Sequence, residues 1–311
     1  MPARSFTTPL AEPDGGAPPA WLLSSLPRGS IGAASRLGWG FHNETWRVDL
    51  VDGLRIVVAR FADAASAAAA RERTAAFGPQ LRAVGIPVAE VVDLGVAADP
   101  RLVATGFVDG VAGAAFLDHP GGPERVGAIM GSTWRRLAGV DLDRPSVPVP
   151  VRWACAQGLD AADRDGRLAR ALGRVDAGDR GQVLAEIDRA RERLAGRVPR
   201  FVHGDFAPVN VVIRDGDLGA LVDLELAGRA DPLFDAAWFR WIVTYHHPAA
   251  GAIAWDAFRA TAGIDHGDAA ARDLLPALPV VGLLERLDAT APGAAADHWL
   301  AMLRSIARHE A

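Results

Sequence analysis

Apolar and polar positions begin to alternate at Ile31. Thr45–Leu50 alternates as a half-buried strand, Asp52-Gly53 marks a tight hairpin turn, and Arg55–Phe61 returns as the next strand. From Asp63 to about Val84 the chain is rich in Ala and Arg, a composition with strong helix propensity, until Gly85 and Pro87 stop it. Val88–Leu94 and Arg101–Phe107 read as two further strands, separated by the turn residues Asp99-Pro100. Three strands, a helix and two strands in this order predict a small antiparallel sheet carrying one helix.

After Gly110 the apolar period becomes helical, over about 123–140, 151–173 and 177–196, with breaks at Pro145–Pro150 and at Gly178. Residues 200–223 interrupt this with a compact strand–loop–strand–turn–strand pattern around Asp215-Gly216, and helical periods then run to the C-terminus. The pattern predicts an α+β chain with a two-lobed division. Residues 1–30 form a tail with a short docking helix at Ala20–Leu26, anchored by Trp21, Leu22 and Leu23. Residues 31–107 form a β-rich lobe, and residues 108–311 a larger, mostly helical lobe, with the boundary near Phe107–Gly113.

Composition narrows the partners. The chain has 311 residues, half of them hydrophobic and 23% charged, as in an ordinary globular protein. A net charge of −5 argues against a surface that tracks nucleic-acid backbones. The single Cys155 excludes an internal disulfide and a multi-cysteine metal site, and Trp153, Ala154 and Ala156 around it predict a buried, inert thiol. Residues 1–30 lack the apolar core of a signal peptide, and no run of about 18 uninterrupted apolar residues is present. The expectation is a cytoplasmic protein with no membrane partner. All 33 basic residues are arginine, so any phosphate contact that a lysine would make falls to an arginine here.

The chemistry concentrates in His203-Gly204-Asp205-Phe206-Ala207-Pro208-Val209-Asn210, a polar loop between two strand patterns. Further on, the apolar run Leu218–Val222 ends in Asp223. Two carboxylates and an amide in one small loop-rich unit are the inventory that phosphoryl transfer needs: one group to direct a hydroxyl, and oxygen ligands for the metal ions that neutralise the β- and γ-phosphates. The protein-kinase catalytic loop has the same spacing from Asp to Asn.

The run from His203 to Asp223, with Asp231-Pro232 and Asp235 beyond it, resembles the aminoglycoside phosphotransferase and choline kinase-like superfamily. The resemblance implies a protein-kinase-like fold, Asp205 as catalytic base, and Asn210 and Asp223 as Mg²⁺ ligands. It implies a nucleotide-phosphate loop at Leu37-Gly38-Trp39-Gly40-Phe41-His42-Asn43-Glu44, where Gly38 and Gly40 would let backbone N–H groups approach phosphate. It also places Arg60 where the family has a basic residue, usually lysine, with Glu72 as ion-pair partner. Thr105–Gly110, including Phe107, becomes the hinge that meets the purine.

Other residues divide between functional and structural readings. Glu225 fits the metal shell or a pairing with an arginine. Asp231 and Asp235 read as charges favouring a helix start, and Trp238, Phe239, Trp241 and Ile242 as core packing, with one of them lining the substrate pocket as the alternative. His246-His247, adjacent on a helix, point apart and have no visible partner set for a metal. Asp118, Asp160, Asp163 and Asp165 suit either a cationic substrate or solvated helix faces.

The expectation is therefore an ATP- or GTP-dependent O-phosphotransferase with Mg²⁺. Its acceptor would be a small hydroxylated molecule, an antibiotic or related secondary metabolite. A housekeeping kinase for choline, a sugar or an amino alcohol is the alternative, and a nucleotide-binding pseudokinase a further one.

Overall fold

A computed structural model describes residues 17–27, 29–38, 43–94, 99–143, 147–265 and 267–307. Gly40, with Trp39, Phe41 and His42 of the expected phosphate loop, lies outside the described residues, as do Pro145 and most of the expected tail. The chain forms two compact units, one of residues 1–119 with 209–226, the other of residues 120–208 with 227–311. The first unit thus takes back a short segment from the second half of the chain.

In the first unit, α1 (Ala20–Ser25) precedes β1 (Ile31–Leu37), β2 (Glu44–Leu50), β3 (Arg55–Arg60), α2 (Ala64–Ala83), β4 (Val91–Val92) and β5 (Leu102–Gly106). The strands form an antiparallel sheet in the order β1-β2-β3-β5-β4. Register explains its two faces. Trp46 pairs with Val58 and Val48 with Ile56, so the alternation of both strands turns these four side chains to one side, with Leu102 and Ala104 of β5. Leu22 and Leu26, from α1 and just after it, close that side. Burying a leucine such as Leu22, fully enclosed here, is worth about 1.5–3 kcal/mol. Leu23, expected to share in the anchor, is half exposed.

The other side receives α2, through Ala67 and Ala70 against Phe61 and Val103. Asp63 caps this helix by accepting the Ser66 N–H at 2.8 Å. Gly85 ends it: at φ 78° it adopts the left-handed conformation, and the Gly85 and Ile86 N–H groups return to the Arg82 and Leu81 carbonyls. The strand expected over Val88–Leu94 shrinks to Val91–Val92, and Val88 makes an isolated parallel bridge with Leu221 instead. A second, three-stranded sheet completes the unit, from β6 (Val111–Ala112), β8 (Val211–Arg214) and β9 (Asp217–Leu221), with α3 (Gly113–Phe116) beside it.

The second unit holds α4 (Gly122–Leu137), α5 (Ala156–Arg164), α6 (Arg167–Gly173), α7 (Ala177–Leu194) and β7 (Arg200–Val202). Then follow β10 (Gly228–Ala230), α8 (Leu233–His246), α9 (Pro248–Ala262), α10 (Ala269–Ala289) and α11 (Ala294–Ala307). β7 and β10 pair antiparallel. Helix α10 packs on α6, α7, α8 and α11 and is buried on nearly every side from Leu274 to Leu287. Helices α4 and α9 cross closely, because a Cβ at Gly127 or Gly131 would overlap the carbonyl of Ala254 or Phe258.

Two helical expectations are corrected here. The period over 151–173 is not one helix: Gly166 at φ 69° separates α5 from α6, and Val151 bridges Arg229 as extended chain. Gly178 does not break a helix but lies inside α7, where its position in the first turn costs little. The Cys155 thiol is buried, donates to the Arg152 carbonyl at 3.3 Å, and is pushed up in pKa by burial.

Candidate active site

Strand β7 delivers His203-Gly204-Asp205 at its end. Gly204 stands at φ 83°, a conformation that a residue with a Cβ resists, so the turn into Asp205 depends on it. The turn is held from below by Asp235, in the first turn of α8, which accepts the His203 N–H at 2.7 Å and the Gly204 N–H at 3.0 Å. The sequence suggested only a helix-start role for Asp235, whereas the structure makes it the acceptor for the loop that carries Asp205. Burial pushes its carboxyl up to about 7, with the charge of Asp205 acting in the same direction against the two N–H donors. Asp231 does act at the helix start, accepting the Leu233 N–H at 2.9 Å, and pairs with Arg197.

Asp205 is held at Oδ1 by two donors. Trp238 Nε1 donates to Oδ1 at 2.8 Å and Arg286 Nη2 to the same Oδ1 at 3.2 Å. Arg286 also donates to the Gly204 carbonyl at 2.7 Å, and its guanidinium lies 3.9 Å from the centroid of the Trp238 ring. The Asp205 side chain keeps 30% of its surface exposed while Arg286 keeps 6%, so the carboxylate faces outward from a buried support. Trp238 read chiefly as core packing, and Arg286 did not stand out in the sequence. A charged pair inside the apolar run Leu283–Leu287 was the available signal, since a buried arginine requires a partner.

Asn210 and Asp223 belong to the first unit, which the chain enters at Val209. Val211 pairs with Leu221, and the Val222 N–H donates to the Asn210 carbonyl at 2.9 Å, so the β8–β9 ladder sets Asn210 beside the residue preceding Asp223. Asn210 is buried, and Asp223 takes φ 65°, a left-handed backbone seen in only a few per cent of non-glycine residues. Backbone held in this way is found at functional sites more often than elsewhere. The next turn brings Glu225, whose Oε2 accepts from Asn43 Nδ2 at 3.1 Å and whose carbonyl accepts from Arg73 of α2. The end of the expected phosphate loop therefore meets the segment that follows Asp223.

Arg60 and Glu72 are not brought together. The Arg60 Nε lies 3.9 Å from Asp99 and its guanidinium 5.4 Å from the Trp21 ring, on the sheet side closed by Leu22 and Leu26. Glu72 points outward from α2 and has no ion pair among the described residues; Arg73, one position on, is the residue that α2 turns toward Glu225. The reason is helical phase: Ala70, Phe77 and Leu81 face the core, which leaves Glu72 on the far side. Phe107 lies under two guanidinium groups, those of Arg47 at 4.5 Å and Arg55 at 5.4 Å. Gly38 is exposed just after β1. Asp118, Asp160, Asp163 and Asp165 are all exposed, and Asp163 pairs with Arg191 at 3.0 Å.

Comparison with known proteins decides the family. A sequence model described as the phosphotransferase enzyme family matches residues 33–275. The chain belongs to that family. Among solved structures, it is similar to the aminoglycoside phosphotransferase APH(4)-Ia in ternary complex with ADP and hygromycin B, at a TM-score of 0.67 and 19% identity over 94% of this chain and 98% of that one. The GDP complex of aminoglycoside 2'-phosphotransferase-IIIa gives 0.69 and 18%, over 94% and 97%. Macrolide 2'-phosphotransferase MphH from Brachybacterium faecium gives 0.57 and 18%, over 88% and 92%. No curated protein matches by sequence. At these identities the solved structures establish the kinase-like α+β fold, and the family match establishes a phosphotransferase. Among the described residues, no helix is long and apolar enough to cross a membrane.

Proposed function

We propose that this phosphotransferase moves the γ-phosphate of ATP or GTP to a hydroxyl of a small molecule, an antibiotic or related secondary metabolite. The observation that carries the proposal is the carboxylate of Asp205, fixed through Oδ1 and partly exposed, five positions before an Asn210 that the β8–β9 ladder holds beside the Asp223 segment. In this reading Asp205 orients the acceptor hydroxyl and takes its proton as the new oxygen–phosphorus bond forms and the bond to the β-phosphate breaks. Asn210 and Asp223 hold Mg²⁺. An amide oxygen and a carboxylate suit a hard cation that completes its shell with phosphate oxygens and water, so two protein ligands are enough. When bound, the ion would neutralise charge on the β- and γ-phosphates.

Asn43, Gly38 and Gly40 are proposed to lie at the phosphates, supported for Asn43 by its contact with Glu225. Phe107 is proposed to lie near the purine, while Arg60 and Glu72 keep a weaker claim because neither meets the Asn43–Glu225 segment. The proposed setting is the cytoplasm, where nucleotide triphosphates are available. An antibiotic acceptor is supported by the hygromycin B, kanamycin and macrolide enzymes of similar fold. The test is a panel of aminoglycosides, macrolides, choline and sugars incubated with γ-labelled ATP or GTP and read by the mass gain of one phosphate. Transfer to an antibiotic supports the proposal; transfer only to choline or a sugar would replace it with a housekeeping kinase.

A further inference from the structure

Arg286 is a costly residue where it stands. Its guanidinium is all but enclosed, with 6% of the side chain exposed, and burial works against its charge, drawing its pKa down. Taking such an ion out of water costs several kcal/mol, and a buried ion pair replaced as a whole by well-packed apolar side chains is often as stable or more so. What the protein gains from the charge must therefore be sought in what it touches. Nη2 donates to the Gly204 carbonyl at 2.7 Å and to Asp205 Oδ1 at 3.2 Å. The guanidinium lies against the Trp238 ring at 3.9 Å and nearer the edge of contact with Trp299 at 5.8 Å. Trp238, pinned by this stacking, aims its own N–H at the same Oδ1 at 2.8 Å.

We infer that Arg286, with Trp238, is a positioning residue for phosphoryl transfer: together they lock the plane of the Asp205 carboxylate by holding Oδ1 and the backbone of Gly204 at once. The inference rests on the reading of Asp205 as the base. A carboxylate on a loop has rotational freedom about two side-chain bonds, and catalysis by an oriented base depends on removing it. A single donor would leave the carboxyl free to pivot about the bonded oxygen. Two donors on Oδ1, one an indole fixed in α8 and the other a planar guanidinium fixed in α10, fasten the group to two helices of the second unit. The third contact, to Gly204, ties the same guanidinium to the left-handed turn that presents Asp205.

The test is a double-mutant cycle between Arg286→Met and Asp205→Asn, with kcat, acceptor KM, nucleotide Kd and Tm measured for each variant. Arg286→Met alone should lower kcat by about 10–100-fold, the scale of loss from small misplacement of a catalytic group. Nucleotide Kd should stay within about two-fold, while Tm should fall by a similar amount in both backgrounds, because methionine leaves the Gly204 carbonyl without its donor. In the Asp205→Asn background the same substitution should cost less than about two-fold more, since its effect passes through the carboxylate. If Arg286→Met does not fold, Trp238→Phe removes the indole N–H while keeping a smaller aromatic ring beside Arg286, and the same pattern of a kcat loss that vanishes in Asp205→Asn is expected. Wild-type kcat in Arg286→Met, or an equal kcat loss in both backgrounds, would overturn the inference and leave Arg286 a structural residue. Full turnover in Asp205→Asn alone would instead remove the base reading on which it rests.

Discussion

The Asp205 turn and the Asn210–Asp223 hairpin perform neighbouring tasks in the proposed reaction but are held in different ways. Around Asp205 the work is done by side chains from distant parts of the chain: Asp235 and Trp238 in α8, and Arg286 in α10. Around Asn210 and Asp223 it is done by backbone pairing between two adjacent strands, and by a left-handed residue at the strand end. A metal ligand tolerates this local support, because the ion itself draws oxygen ligands into place. A general base has no such ion to orient it, and its plane must be set in advance by rigid neighbours. The costlier scaffold, with a buried carboxylate and a buried guanidinium, surrounds Asp205, the group that the proposed reaction needs oriented.

The largest effect that tests this contrast is on chemistry. Asp205→Asn keeps the Oδ1 acceptor for Trp238 but loses the ability to take a proton, so turnover should fall by about 10²–10⁴-fold. Steady-state rates with any acceptor found in the panel check it, and near-wild-type rates would break it. Next comes stability. Asp235→Ala strands two buried N–H groups, those of His203 and Gly204, and should cost about 2–4 kcal/mol in denaturant unfolding. A cost no greater than that of an ordinary surface substitution would show that the turn is held by something else.

A smaller effect concerns pH. Asp235 is pushed up to about 7, above its unfolded value, so its protonated form is favoured on folding. Its contribution is fully present below the ordinary carboxylate range and is lost as pH rises through about 7. His246 tilts the other way: burial, with His247 and His298 beside it, pushes it down to about 4, and its contribution is lost as pH falls toward that value. The difference between wild type and Asp235→Asn cancels His246. It should shrink as pH rises from about 4 to about 7 and level off above, and a pH-independent difference would refute the assignment.

The smallest effect expected is at Arg60. With Asp99 and Trp21 as its neighbours, Arg60→Ala should leave nucleotide KM within about two-fold of wild type. A rise of ten-fold or more would return Arg60 to the phosphates and sharpen the contrast by giving the first unit a cation of its own.

Local rules carried much of the fold. Asp52-Gly53 made the β2–β3 hairpin legible, Asp63 and Gly85 bounded α2, and the Asp215-Gly216 turn with its apolar flanks revealed β8 and β9. The site was legible where its residues share one loop, as Asp205 and Asn210 do. It was not legible where contact depends on helix phase or on distant packing. The family resemblance implied that Glu72 pairs with Arg60, yet the core-facing positions of α2 turn Glu72 outward, and Arg73 makes the contact with Glu225 instead. Trp238 looked like packing, which it is; its N–H does a second job that only the register of α8 against the Asp205 turn discloses. Arg286 lies 81 positions from Asp205, and no short-range rule links them.

The central claim is a division of labour, with Asp205 for the chemistry and Asn210 with Asp223 for the metal-bound nucleotide. Calorimetric titration of Mg²⁺ and ATP or GTP into wild type, Asp205→Asn and Asp223→Asn tests it most directly. Asparagine is at home in left-handed backbone, so Asp223→Asn keeps the turn while removing the negative charge and one of the two oxygens. The account predicts that Asp205→Asn binds the nucleotide as wild type does, while Asp223→Asn loses Mg²⁺-dependent affinity by about ten-fold or more, as expected for loss of a charged metal ligand. Equal affinity in Asp223→Asn and wild type, or a loss confined to Asp205→Asn, would contradict it.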